Sequence, residues 1–203
     1  MSFTNRSRTA LGALSRVLAA ATTAVAATVF STAAHAALPV GAAAPDFNAD
    51  AALGGNTFHF KLAEALRKGP VVLYFYPRAF TSGCTQEAHA FAEATPVFEA
   101  LGATVIGMSN DDIATLQKFS VEACRNRFAV AADAGARVMK AYDAALWVKR
   151  DMADRISYAI SPQGKVMAVY SSLNPDGHVD AMLKAVQDWK RAQPVQPAQV
   201  PKP

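Results

Sequence analysis

An apolar run, Val71–Tyr76, stops abruptly at Pro77-Arg78-Ala79-Phe80-Thr81-Ser82-Gly83-Cys84. No other stretch limits the fold as tightly. The run follows Gly69-Pro70 and reads as a buried strand. Beyond the loop, apolar side chains return at Ala88, Phe91 and Ala92, which is helical spacing. Thr81, Ser82 and Gly83 are residue types found at helix starts. The chain is therefore predicted to run strand, tight loop, helix, with the helix beginning at about Cys84 and that residue in its first turn. Unpaired backbone N–H groups and the positive end of the helix dipole favour a thiolate there over a thiol. The thiolate is the nucleophile, so Cys84 is a candidate reactive group.

The remaining pattern alternates between periods. Thr57–Phe60 reads as a short strand and Lys61–Lys68 as a helical turn or two. The Cys84 helix is predicted to be interrupted or restarted near Thr95-Pro96 and to end at Gly102. Thr104–Met108 is a second buried strand. Ser109, Asn110 and Asp111 offer caps for a helix over about Asp112–Arg125. Ala129–Ala131 reads as a short strand and Ala136–Tyr142 as a short helix. Ser157–Ile160 and Val166–Tyr170 are strands joined by a hairpin-type turn, and His178–Arg191 is a closing amphipathic helix. Strands alternating with helices, then a hairpin and a last helix, give an α/β layered architecture.

Residues 1–36 read as a cleavable secretory signal peptide. Arg6, Arg8 and Arg16 form a basic beginning, an Ala/Val/Leu-rich run follows through Phe30, and Ala34-His35-Ala36 is a small-x-small cleavage pattern. A membrane anchor is the competing reading, but the run is diluted by Ala and Thr and ends in that pattern. The arginines are separated, which disfavours twin-arginine export, and no cysteine follows to carry a lipid. Three of the 20 basic residues leave with the signal and none of the 16 acidic ones, leaving 17 against 16. The sequence pI of about 9.2 thus owes much to the signal, and nucleic-acid binding is not indicated. Residues 37–191 are one domain's length. Residues 192–203 are Pro- and Gln-rich with no core-forming pattern and read as a disordered tail.

Proline, three residues, threonine, two residues, cysteine is the active-site signature of the peroxiredoxins, and Pro77, Thr81 and Cys84 match it. Val40–Phe47 resembles that family's opening segment, Val71–Pro77 its central strand, and Asp154–Val166 its arginine-bearing strand and hairpin. The likeness runs from about Leu38 to about Trp189 and is nearest to the Q-type, or bacterioferritin-comigratory, class. It implies a thioredoxin-like fold, a central mixed sheet flanked by helices. It also implies a thiol peroxidase needing no metal, flavin or haem, with a hydroperoxide as substrate. A thioredoxin-like dithiol protein or a small thiol would be the reductant. By the same resemblance Arg155 binds the thiolate and the peroxide oxygen, its guanidinium offering donors in a rigid fork. The Thr81 hydroxyl can bond the sulfur and the peroxide, and the Pro77 ring can shape a dry pocket. Glu87, one turn after Cys84, either orients the arginine or is a plain dipole partner. The signal implies the periplasm if the source is Gram-negative, with no membrane attachment once it is removed, and the expected state is a monomer or weak dimer.

The sequence departs from the family in places. His89 stands where many Q-type members carry a resolving cysteine, Ser82 where proline is frequent, and Ser161 where aspartate is frequent. Cys124 is left as the internal thiol that could resolve Cys84 as a disulfide. Ile113, Leu116, Ser120 and Cys124 also fall on one helical face, which makes an inert core cysteine the alternative. Two rival functions share the fold. A periplasmic thiol–disulfide oxidoreductase would want Cys-x-x-Cys, and Glu87 occupies its second position. A copper carrier would want Cys-x-x-x-Cys with a histidine, and Ala88 stands there. His59, His89 and His178 form no ligand-spaced cluster with either cysteine. A structural disulfide in an exported domain is the non-enzymatic reading. N-terminal sequencing of exported protein is expected to give Ala37; an intact Met1 with membrane association would refute cleavage.

Overall fold

The computed structural model describes residues 37–193; the expected signal and nearly all of the expected tail lie outside them. Along the chain run β1 (Asn48–Leu53), β2 (Asn56–Lys61), α1 (Leu62–Leu66), β3 (Val71–Phe75), α2 (Ser82–Ala100), β4 (Thr104–Ser109), α3 (Ile113–Glu122), β5 (Ala129–Ala132), α4 (Arg137–Ala141), β6 (Ile156–Ile160), β7 (Val166–Ser171) and α5 (His178–Ala192). One seven-stranded sheet has the order β2-β1-β5-β4-β3-β6-β7. β3 pairs β4, and β4 pairs β5, in parallel; the other pairs are antiparallel. This is the expected mixed sheet flanked by helices.

The apolar run at β3 is continuous because the strand feeds two cores. Val71, Leu73 and Phe75 face one layer with Leu62 of α1 and Met139 of α4. Val72, Tyr74 and Tyr76 face the other, with Phe91 of α2, Leu116 of α3 and Met182 of α5. A period of two thus splits one hydrophobic segment between both faces of the sheet.

Several boundaries differ from the sequence reading. β1 is absent from that reading because Asn-Ala-Asp-Ala-Ala-Leu is poor in β-branched residues. It forms through a two-residue hairpin at Gly54-Gly55, both at positive φ, with Leu53 opposite Asn56. Pro96 does not interrupt α2. Burial of Ala88, Phe91, Ala92, Thr95 and Phe98 on one face carries the helix past the missing N–H, and the Thr95 hydroxyl donates to the Phe91 carbonyl at 2.8 Å. Gly102 ends it as expected, at φ 80, with the amide of Ala103 donating to Phe98 and that of Gly102 to Glu99. Asp112 caps α3 by accepting from the Thr115 amide at 2.7 Å, rather than Ser109, Asn110 or Asp111. α3 stops at Glu122, short of the expected Arg125, because Arg125 and Asn126 turn into left-handed conformations.

Gly107 of β4 lies opposite Tyr74, and a Cβ there would sit 2.7 Å from the tyrosine ring. Tyr74 is fully buried and has nowhere to retreat. Gly107→Ala should therefore destabilise the fold by about 1–3 kcal/mol in urea unfolding. An unchanged midpoint would show that the layer is looser than its packing implies.

Candidate active site

β3 delivers the chain to the loop Pro77–Phe80, and the loop is fixed from the side by the β4–α3 connection. The Ala79 amide donates to Asp111 Oδ2 at 2.7 Å, and the Ser109 hydroxyl donates to the same oxygen at 2.8 Å. Phe80 takes a left-handed conformation, φ 63, unfavourable for a side chain of its size. Its ring packs edge-on against Phe119 of α3, centroids 5.2 Å apart. The turn lets Thr81 serve as N-cap of α2 in extended conformation, ψ 151. The helix begins at Ser82, two residues earlier than its predicted start at Cys84, and Cys84 is still in the first turn, as expected.

Cys84 is only 1% exposed, and Arg155 Nη2 donates to its sulfur at 3.4 Å. Arg155 enters from the start of β6. Its Nη1 donates to Glu87 Oε2, and its Nε donates to the Leu173 carbonyl at 3.0 Å. Each edge of the guanidinium fork is thereby held. Gly83 permits the approach: a Cβ there would meet Arg155 Nη2 at 3.2 Å. Burial works against the charge of Arg155, but Glu87 and Cys84 outweigh it and hold the guanidinium above its ordinary value. Burial pushes Glu87 up to about 7, against the pull of Arg155. Glu87 therefore does orient the arginine, through a fully buried ion pair.

His178 is the first residue of α5. It lies fully buried behind Glu87, with Nδ1 at 3.5 Å from Glu87 Oε1 and 2.8 Å from Ser157 Oγ. Its Nε2 is 3.0 Å from the Ser172 carbonyl oxygen. Burial pulls His178 below the usual imidazole range, opposed by that carbonyl. No local pattern marks this role, because its partners come from α2, β6 and the segment after β7.

Of the predicted residues, Cys84 and Arg155 are in contact. Pro77 and Thr81 line an open cleft with Asn110, Asp112 and Lys149, and neither Cys84 nor Arg155 is among its lining residues. The Thr81 hydroxyl donates to the Arg78 carbonyl at 3.0 Å, so its lone pairs, not its proton, remain for a ligand. Cys124 lies two residues past the end of α3, fully buried, and its amide donates to the Phe119 carbonyl at 3.0 Å. Both cysteines are unpaired thiols in one apolar layer with Tyr74 and Tyr76. Burial pushes the Cys124 thiol well up.

Residues 40–169 match the model of the AhpC/TSA family. The chloroplastic peroxiredoxin Q of Triticum aestivum is 34% identical over 120 residues, 59% of this chain and 55% of that protein. That of Sedum lineare is 33% identical over 122 residues, 60% of this chain and 65% of that protein. The chain thus spans less than two thirds of the length of these relatives. Among solved structures, the peroxidoxin BcpB of Mycobacterium tuberculosis is 30% identical with a TM-score of 0.66, covering 74% of this chain and 97% of that one. AhpC of Mycobacterium bovis, at 18% identity and a TM-score of 0.67, covers 81% of this chain and 99% of that one and shares the fold.

The raised carboxyl of Glu87 ties stability to pH. The folded chain keeps a proton that the unfolded chain releases near the ordinary value of 4.5. The stability it contributes is fully present below that value and is lost as pH rises through about 7. Denaturant midpoints should fall over this window in the wild type, and Glu87→Gln, with no carboxyl to titrate, should flatten it. Equal slopes in the two proteins would contradict a buried, raised carboxyl.

Proposed function

Because the chain belongs to the AhpC/TSA family, we propose that it is a thiol-dependent peroxidase acting on hydrogen peroxide and small organic hydroperoxides. The observation that carries this reading is the buried Arg155 Nη2–Cys84 Sγ contact at the first turn of α2. A helix start and a fixed cation at the sulfur are the surroundings in which a cysteine acts as a nucleophile. The thiolate attacks the nearer peroxide oxygen. An S–O bond forms, the O–O bond breaks, and the leaving alkoxide or hydroxide takes a proton from water. Cys84 becomes a sulfenic acid. Negative charge grows on the leaving oxygen, and the Arg155 donors, already in position, need no reorganisation to meet it.

In this reading Cys124 then condenses with the sulfenic acid. A disulfide forms and water leaves, and a thioredoxin-like dithiol protein or a small thiol restores both thiols. Burial of Cys124 requires local opening first. The segment after α3, with Arg125 and Asn126 left-handed, and the first turn of α2 are the parts that must yield. Export to the periplasm through a cleaved signal belongs to the same proposal. It is supported by the basic start, the apolar run and Ala34-His35-Ala36.

Intact mass after one equivalent of peroxide tests the scheme. Wild type should lose two thiols to a disulfide, Cys124→Ser should gain one oxygen at Cys84, and Cys84→Ser should leave peroxide unconsumed. Undiminished turnover in Cys84→Ser would sink the peroxidase reading. A Cys84–Cys124 bridge closes a loop of about 40 residues, worth about 4 kcal/mol if unstrained. A catalytic bridge forfeits that gain by breaking two packed turns, so the oxidised protein should melt no higher in denaturant than the reduced one. Stabilisation of several kcal/mol would favour an inert staple.

A further inference from the structure

Behind the Cys84–Arg155 contact lies a buried pair that the scheme above does not use. His178 Nε2 faces the Ser172 carbonyl oxygen, which can only accept, so Nε2 carries a hydrogen. In a neutral ring Nδ1 is then a bare lone pair. Ser157 Oγ, 2.8 Å away, can donate to it. Glu87 Oε1, 3.5 Å away, cannot if the carboxylate is ionised. Glu87 Oε1 is also one of the buried side-chain oxygens with no hydrogen-bond partner among the described residues. Lone pair would face lone pair in a site without water access, which is costly.

One proton removes the conflict. On Glu87 it is donated to Nδ1; on Nδ1 it is shared between Glu87 Oε1 and Ser157 Oγ. The charge inventory points the same way. Arg155 brings one positive charge and ionised Glu87 one negative; the thiolate that attacks peroxide would add a second negative charge in the same buried site. A proton on the pair makes the cluster neutral. Nearby, Asp154 accepts from the Arg155 amide, Asp176 accepts from the Gln86 side chain, and the Tyr170 ring stands edge-on to His178. Asp154 favours the proton on His178 and Arg155 opposes it.

We propose that Glu87 and His178 share a single proton in the reduced protein, and that His178 is a positioning residue for the peroxidase site. It acts through Glu87: with the proton in place, Glu87 does not draw Arg155 away from the sulfur. When the proton is lost, the site gains a buried negative charge next to the one that develops on the leaving oxygen, and the reaction slows. This inference rests on the peroxidase reading for its kinetic consequence but not for the shared proton.

Single-turnover peroxide consumption by the reduced full chain, followed from about pH 5 to about pH 9, tests the consequence. Wild type should fall about tenfold on the alkaline side, the effect of one uncompensated neighbouring charge. His178→Gln, whose amide cannot share the proton, should be slower at its best pH and should move the alkaline fall, because Glu87 then holds the proton alone. An alkaline fall at the same pH in His178→Gln as in the wild type, or a wild type flat to the alkaline limit, overturns the kinetic role. Should the variant fail to fold, wild-type NMR decides. The His178 ring nitrogens and the Glu87 carboxyl carbon should report one shared transition. Glu87 ionised and His178 neutral throughout the neutral range would overturn the proposal. A wild type that consumes no peroxide at any pH defeats the peroxidase reading instead, and the NMR titration still tests the shared proton.

Discussion

The structure turns on a guanidinium that is 5% exposed and held on every edge. Burying one charge is costly unless partners replace water at each donor. Arg155 finds them in Cys84 and Glu87 of one helix and in the Leu173 carbonyl from the segment after β7. That requirement explains why neighbouring parts are as they are. A Cβ at Gly83 would crowd the guanidinium, α2 must start at the loop and not later, and β6 must sit beside β3. Antiparallel pairing of Phe75 with Ile156 sets Arg155 at the end of β3 from which the loop departs.

A second constraint works from the other side. The loop Pro77–Phe80 carries a strained Phe80 and would relax if unsupported. Asp111 supports it by accepting from both Ala79 and Ser109, and the aromatic contacts Phe80–Phe119–Tyr76 bind the loop to α3 and the strand end. The same aromatic layer has a cost. Tyr74 and Tyr76 keep buried hydroxyls without partners among the described residues. The energy for tolerating them comes from ring stacking, such as Tyr74 on Phe91 at 4.4 Å.

Much of this was legible in the chain because it is local. The β3 run, the helix start at Cys84 and the Gly102 terminus each rest on a few adjacent residues. β1 was not read, although Gly54-Gly55 is a hairpin signal, because alanine carries little strand preference. The end of α3 is not legible, because apolar spacing continues to Cys124 while the backbone turns left-handed at Arg125. The Arg155 contact came from a family motif, not from any periodicity. His178 illustrates what sequence cannot give. Its role exists only where α2, β6 and the chain after β7 converge, and no spacing within one element records that meeting.

The two cysteines then divide the chemistry by environment rather than by position in sequence. They belong to one apolar layer, yet only Cys84 has a cation at its sulfur and a helix end beneath it. Cys124 has neither, and burial alone acts on it, pushing its thiol up. On the proposed scheme a thiol held up by desolvation would not compete for peroxide, and the first oxidation would fall to Cys84. The same desolvation ends when the turn after α3 opens, so the motion that exposes Cys124 also makes it a better nucleophile. On that scheme a single local opening would supply both reach and reactivity once Cys84 is oxidised.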